Sequence, residues 1–185
     1  PWMNSGGVQS MPLSAGSTGS EAKQPAICPD LLDVSGQGDG GMLVAWDYYF
    51  INASAQPRHR VQTTQVSFPG VPGWIIPPLD ASTELTAPSW PDIALLVDPV
   101  AGSDAVGMLV WEGGGETSTC SPARPTEIYS QVAQYGNIGG NQSMLWSSEE
   151  MVSPGPGNYT QLRPTIQRSD GETCTAFWFD GRAGT

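Results

Sequence analysis

Aromatic and amide side chains in loop-forming sequence are the residues whose chemistry most suggests binding. Trp74 lies in a Pro-rich stretch, Trp90 precedes an apolar hairpin, and Tyr135, Asn137 and Asn141 surround a Gly-rich stretch. Aromatic faces can stack on sugar rings, amides can hydrogen-bond hydroxyl groups, and the same residue types are common in protein interfaces. We predict that these five residues bind a receptor or ligand. For each tryptophan, the alternative is packing in the core.

Nucleophilic catalysis would have to use His59, because it is the only histidine in the chain. It lies between Arg58 and Arg60, whose positive charges would disfavour the protonated imidazole. No Gly-x-Ser-x-Gly elbow is present to supply a nucleophilic serine. We therefore predict an ordinary strand histidine, no catalytic residues and no enzymatic activity.

Paired carboxylates could in principle hydrolyse a glycosidic bond, since that chemistry needs two acids across a cleft. Glu112 with Glu116, and Glu149 with Glu150, are the candidate pairs. Spacing alone does not distinguish such a pair from solvated loop residues, and the loop interpretation is favoured. An acidic β-fold glycosidase stays open as a third hypothesis.

Cofactor and metal motifs are incomplete. Gly36, Gly38 and Gly41 have the spacing of a dinucleotide-binding loop, but that site needs a helix after the loop, and a strand-like aromatic segment follows instead. Asp33 and Asp39 flank the same loop without the alternating oxygen ligands of an EF-hand. The sequence predicts no cofactor and no metal.

The chain is strongly acidic, with a formal net charge of −11 over 185 residues. Such a surface repels phosphate backbones and anionic lipids, which argues against nucleic-acid partners and membrane insertion. Residues 1–5 lack a basic region and an apolar core, so they do not form a signal peptide, and the chain looks cut from something longer. Seven tryptophans argue against disorder.

Cys28, Cys120 and Cys174 are an odd, widely spaced set that fits neither a disulfide framework nor a zinc site. Free thiols in a reducing compartment are the preferred interpretation. One disulfide plus one free thiol is the alternative.

An apolar hairpin organises the predicted fold. Residues 93–97 and 106–111 are unbroken apolar runs of strand length, separated by a stretch rich in Pro, Gly, Ser and Asp. Both faces of each strand are therefore predicted to be covered.

The remaining sequence also favours strands. Residues 42–51 and 58–68 predict a second hairpin, Asp170-Gly171 predicts a tight turn, and Pro164 places its strand at an edge or bulge. About seven to nine short strands predict an all-β antiparallel sandwich or barrel with long Gly/Pro-rich loops. We expect one domain over 1–185, with an irregular arm over 1–24, and the sequence shows no repeat period and no internal domain boundary.

The segment 92–111 resembles the strand–turn–strand of calicivirus protruding domains, while the size and acidic, Lys-poor composition resemble an astrovirus capsid spike. The astrovirus-like spike is the preferred resemblance. It implies a β-barrel-like or sandwich domain that forms a homodimer on the virion surface after assembly in the host cytoplasm. It also implies attachment to a host receptor, protein or glycan, and exposure to neutralising antibodies.

The alternative function is a carbohydrate-binding module or lectin-like domain of a secreted protein. Trp74, Trp90 or Tyr135 would then serve as a sugar platform. Glycosylation at the sequons of Asn52, Asn141 or Asn158, or a defined disulfide, would favour this alternative.

Overall fold

The structure is a computed structural model that describes residues 3–4, 7–8, 19–30, 41–67, 73–74, 79–82, 88–96, 105–114, 125–138, 141–153, 159–170 and 172–183. These residues form antiparallel sheets, and their only helical element is a 3-10 turn at Gly181–Ala183. The all-β prediction is therefore confirmed. Hydrogen bonds between the described strands do not join the sheets into a closed barrel.

Fourteen strands are described. In chain order they are β1 (Met3–Asn4), β2 (Gly7–Val8), β3 (Glu21–Asp30), β4 (Gly41–Ile51), β5 (Pro57–Ser67), β6 (Gly73–Trp74), β7 (Leu79–Asp80), β8 (Ser89–Leu95), β9 (Ala105–Gly113), β10 (Glu127–Ile138), β11 (Asn141–Trp146), β12 (Glu150–Met151), β13 (Gln161–Arg168) and β14 (Cys174–Asp180). Strands β1 and β2 pair only with each other.

The same order of paired strands occurs in two sheets, and a third sheet contains only the first two strands of that order. Unit 1 has strand order β3-β4-β5-β6 with β7 also paired to β5. Unit 2 has strand order β8-β9-β10-β11 with β12 also paired to β10. Unit 3 is the β13–β14 hairpin. The chain therefore contains a structural repeat, although its sequence shows no fixed repeat period.

A short motif marks the first strand of every unit. It is x-Pro-x-Ile, and it occurs as Gln24-Pro25-Ala26-Ile27, Trp90-Pro91-Asp92-Ile93 and Arg163-Pro164-Thr165-Ile166. At each copy the register with the second strand shifts, as it does at a β-bulge. The bulge predicted from Pro164 is confirmed and belongs to this repeated device.

The second strand of each unit carries a tryptophan at an equivalent position. The residue just before each motif pairs with the second strand: Lys23 with Asp47, Ser89 with Glu112 and Leu162 with Phe179. Trp46, Trp111 and Trp178 directly precede those three partners. Loops of unequal length separate the motifs, which hides the repeat from a search for a fixed period.

The predicted organising hairpin forms as β8 and β9, with Ile93 opposite Leu109 and Leu95 opposite Gly107. Gly107 permits a very close approach, since a Cβ added there would lie 2.6 Å from the carbonyl oxygen of Ala94. Both faces of the hairpin are buried, as predicted from its consecutive apolar residues.

Each face of unit 2 packs against a different unit. The larger core cluster joins Leu43, Ala45 and Val61 of unit 1 to residues of unit 2 that include Ile93 and Trp111. A second cluster joins Ala94 and Val110, on the opposite face of unit 2, to Ile166 of unit 3. The units therefore stack face to face, in the order 1, 2, 3.

Two predicted boundaries differ from the structure. Strand β3 begins at Glu21, inside the segment expected to be an irregular arm. The Gly-rich loop expected over 136–142 is mostly strand, because β10 extends to Ile138 and pairs directly with Asn141 of β11. Regular main-chain pairing continues there despite the glycines.

Candidate functional site

The three bulges place three non-glycine residues in an unusual backbone conformation. Gln24, Trp90 and Arg163 have φ values of 51°, 50° and 49°. Positive φ is rare for residues with a Cβ, costs on the order of 1–3 kcal/mol at each position, and is concentrated at functional sites. We call these three residues the bulge cluster.

Direct contacts bring the three bulges together, although each belongs to a different unit. The backbone N–H of Trp90 donates to Oε1 of Gln24 at 2.8 Å. The guanidinium of Arg163 lies over the indole of Trp90, with its Cζ 5.1 Å from the ring centroid. Stacking of the units thus aligns the three first strands at their bulges.

Trp90 and Arg163 are both available to a ligand. Trp90 is 40 % exposed, and Arg163 is exposed as well. Within the described ranges, the guanidinium of Arg163 has no carboxylate partner. An arginine in this state retains a planar set of donors that matches a carboxylate.

Glu112 lies buried beneath the bulge cluster and connects two of the units. Its Oε1 accepts a hydrogen bond from the Ser89 hydroxyl at 3.0 Å, and its Oε2 accepts one from the backbone N–H of Arg163 at 2.7 Å. Oε2 therefore holds the backbone of Arg163, while Oε1 is bound to a side chain of its own unit. This corrects the solvated-loop interpretation of Glu112. Its proposed glycosidase partner, Glu116, lies outside the described residues.

The other carboxylate pair does not form a site of this kind. Glu150 is an exposed residue of β12, and Glu149 directly precedes it.

A second polar pair was missed from the sequence. Nδ1 of His59 lies 2.7 Å from Oδ1 of buried Asp47. The ring of Tyr49 meets the imidazole edge-on, with centroids 5.2 Å apart. Arg58 and Arg60 are on the opposite face of β5, because side chains alternate along a strand. The carboxylate of Asp47 therefore contacts the imidazole directly.

The five predicted binding residues do not form one site. Trp74 is in the two-residue strand β6, opposite Val66. Tyr135 and Asn137 are in β10, and Asn141 begins β11. The loop location predicted for Trp74, Asn137 and Asn141 is therefore wrong. The side chains of these three residues and of Tyr135 lie outside what the structure describes.

Trp90 stands apart from the other four. It is next to Ser89, which pairs with Glu112, and Glu112 in turn pairs with Ile128 of β10. Tyr135 lies seven residues farther along the same strand, about 23 Å away at the usual rise per residue. Only Trp90 of the predicted set therefore belongs to the bulge cluster. The repeated x-Pro-x-Ile motif is the signal that sequence reasoning did not use.

Other classes of site were also searched for. The described residues contain no group of three or more His, Cys, Asp or Glu side chains that could hold a metal ion. The Gly-rich loop with Asp33 and Asp39 lies outside the described residues. None of the described helical residues form a segment long and apolar enough to cross a membrane.

Cys28 and Cys174 are both half-buried, and neither is in a disulfide, as the preferred interpretation expects for these two. Cys120 lies outside the described residues. Burial raises the pKa of the Cys174 thiol, and the nearby Cys28 raises it further.

We expect alkylation of Cys174 by iodoacetamide to be slow at neutral pH and to accelerate only under alkaline conditions. The physical reason is that the thiolate is the nucleophile, and a raised pKa lowers the thiolate fraction at any given pH. Peptide-level mass spectrometry over a pH series measures this rate. The urea-unfolded chain is the control. Equal rates in the folded and unfolded chains at every pH would contradict the prediction.

Comparisons with protein-family models, with curated proteins and with solved structures found no match for this chain.

Proposed function

We propose that the protein is a carbohydrate-binding domain and that the bulge cluster holds a sugar bearing a carboxylate. The observation that carries this proposal is the Arg163 guanidinium stacked over exposed Trp90, with no carboxylate partner among the described residues. An indole offers an apolar face for a sugar ring. The guanidinium offers paired N–H donors for a carboxylate.

The backbone supports this role. The strained bulges of three units are held together by Gln24 and by buried Glu112. Rigid main chain under the side chains lowers the ordering cost of binding. Because the whole chain carries a formal charge of −11, Arg163 supplies an exposed cation on an otherwise acidic protein.

Replacing Arg163 with Ala should weaken binding of a carboxylated glycan by about 10- to 150-fold, because a hydrogen bond to a charged group contributes about 1.5–3 kcal/mol. The fold should persist, since the side chain is exposed and the N–H bonded to Glu112 is unchanged. Titration calorimetry with sialyllactose and oligogalacturonate as carboxylated probes, and lactose as the neutral probe, measures the effect.

Arg168→Ala is the matched control, since it removes the same charge from an exposed position of the same strand. Trp90→Phe should retain part of the affinity, because a smaller aromatic face remains. Equal affinity of wild type and Arg163→Ala for both carboxylated probes, or no binding by wild type, would overturn the proposal.

The second candidate function is the one implied by the capsid-spike resemblance, namely attachment of a virion to a host receptor as a homodimer. The observation in its favour is an exposed aromatic surface on unit 3, with Phe177 and Phe179 55 % and 70 % exposed. Large exposed apolar patches mark interaction sites. Binding of the purified domain to host cells tests this candidate. If the domain does not bind them, the attachment candidate is wrong and only the carbohydrate-binding proposal remains.

A further inference from the structure

The repeat shows how one unit covers the next. In unit 2, the first strand buries Pro91, Ile93 and Leu95 against unit 1. In unit 3, the first strand buries Pro164 and Ile166, and Ile166 packs on unit 2. The apolar stripe of each first strand is therefore the surface with which a unit contacts its predecessor.

Unit 1 leaves the same stripe open. Pro25, Ile27 and Pro29 alternate along β3 and are all exposed, and Ile27 is 56 % exposed. By contrast, Ile93 and Ile166 at the equivalent positions are 4 % and 6 % exposed. We call this surface the β3 stripe.

Unit 3 leaves the complementary surface open. Ala45 of unit 1 and Val110 of unit 2 lie at the position of Phe177 and are completely buried by the following unit. Phe177 and Phe179 have no such cover and are exposed, as is Leu162 beside Phe179. We call these three residues the Phe face.

We infer that the β3 stripe of one copy of this chain docks on the Phe face of a second copy, head to tail. The occupant follows from the repeat, since in both internal contacts a face equivalent to the Phe face is covered by a stripe equivalent to the β3 stripe. The two surfaces left uncovered at the ends of the stack are thus complementary, because the β3 stripe is of the kind that covers and the Phe face is of the kind that is covered. This inference stands independently of any glycan.

Charge also favours the Phe face as a contact between copies. The described part of the β13–β14 region contains Arg163, Arg168 and Arg182 against Asp170, Glu172 and Asp180, and is formally neutral. The remainder of the chain accounts for the net charge of −11. Two copies therefore approach each other with least repulsion through this hairpin.

Burial on unit 1 limits the contact to its first strand. Val44 and Trp46, on the same face of unit 1 as Ile27, are already buried. Strand β3 can still supply such a contact, since its equivalent β8 contacts β3, β4 and β5 in the internal interface. A head-to-tail contact of this kind is heterologous, so it builds a ring when the rotation closes and an open chain when it does not.

The test is complementation between two variants of the full chain. Ile27→Asp removes the β3 stripe, and Phe177→Asp removes the Phe face. Both positions are exposed, so each variant should fold. By sedimentation velocity, wild type should form species heavier than the 19.5 kDa monomer, whereas each variant alone should be a monomer.

An equimolar mixture of the two variants should form a one-to-one dimer, because each supplies the surface that the other lacks. Leu145→Asp, an exposed apolar residue of β11 outside both surfaces, should associate as wild type does. A two-fold contact between Phe faces predicts instead that Ile27→Asp still dimerises and that mixing restores nothing. That result, or a monomeric wild type at every concentration, would overturn the inference.

Discussion

Replacing Trp111 with Ala is expected to lower the free energy of unfolding by about 3–5 kcal/mol, the range for removing a large buried aromatic side chain. Trp111 is completely buried in the core between units 1 and 2. Its ring stacks on Tyr129 with centroids 6.3 Å apart. Deleting it opens a cavity where the two units meet, so their contact should weaken together with the fold. Urea unfolding followed by far-UV circular dichroism measures the change.

Trp111→Phe is the matched control for that experiment. The Nε1–H of Trp111 is buried and finds no hydrogen-bond acceptor among the described residues, so phenylalanine removes an unsatisfied donor while keeping an aromatic ring. We expect a much smaller loss than for alanine. A loss below about 1 kcal/mol for Trp111→Ala, typical of an ordinary surface change, would show that the indole does not hold the units together.

Replacing His59 with Ala is expected to cost about 1–3 kcal/mol, because it leaves a buried acceptor without its hydrogen-bond partner. The partner left behind is Asp47, which is 3 % exposed. Its Oδ1 would lose the ring nitrogen that lies 2.7 Å away. The midpoint of urea unfolding at constant pH reports the loss.

A double-mutant cycle separates this pair from simple packing. Asp47→Asn combined with His59→Ala should recover part of the stability lost in His59→Ala, since the amide carries no charge to leave unpaired. Additive effects of the two changes would mean that the short contact contributes nothing, and that His59 matters only through its edge contact with Tyr49.

Local features of the fold were predictable because they depend on neighbouring residues. The β8–β9 hairpin follows from two apolar runs around a turn-forming stretch, and the bulge at Pro164 follows from its missing N–H. The turn at Asp170 also forms, although it is longer than the dipeptide suggests. Oδ1 of Asp170 accepts the backbone N–H groups of Glu172 and Thr173.

The candidate site was not predictable in the same way. As single residues, Gln24 and Arg163 carry no sequence signal of a binding site. Their positive φ values are a backbone conformation that residues with a Cβ rarely adopt. The two residues belong to a candidate site only because stacking of the units places the three bulges side by side. Comparing the three x-Pro-x-Ile segments could have revealed that alignment, but the unequal loops between them conceal the period.

The glycine-rich sequence after Tyr135 made the prediction of a loop there wrong. That stretch was expected to be a loop carrying binding residues, yet β10 and β11 pair through it with Asn137 opposite Gln142. Main-chain hydrogen bonding to a neighbouring strand can override the local preference of glycine. Trp90 was selected for its aromatic ring alone, and its contacts with two other units could not be read from its neighbours.

At the x position of the repeated motif, the backbone conformation is constant while the side chain varies. The same left-handed turn before proline carries an amide in Gln24, an indole in Trp90 and a guanidinium in Arg163. Three such different side chains are thus accommodated by one main-chain scaffold. A library that varies only these positions could search for new ligand specificities while leaving strand pairing unchanged, which makes the bulges a natural starting point for engineering and a plausible route by which specificity diversifies.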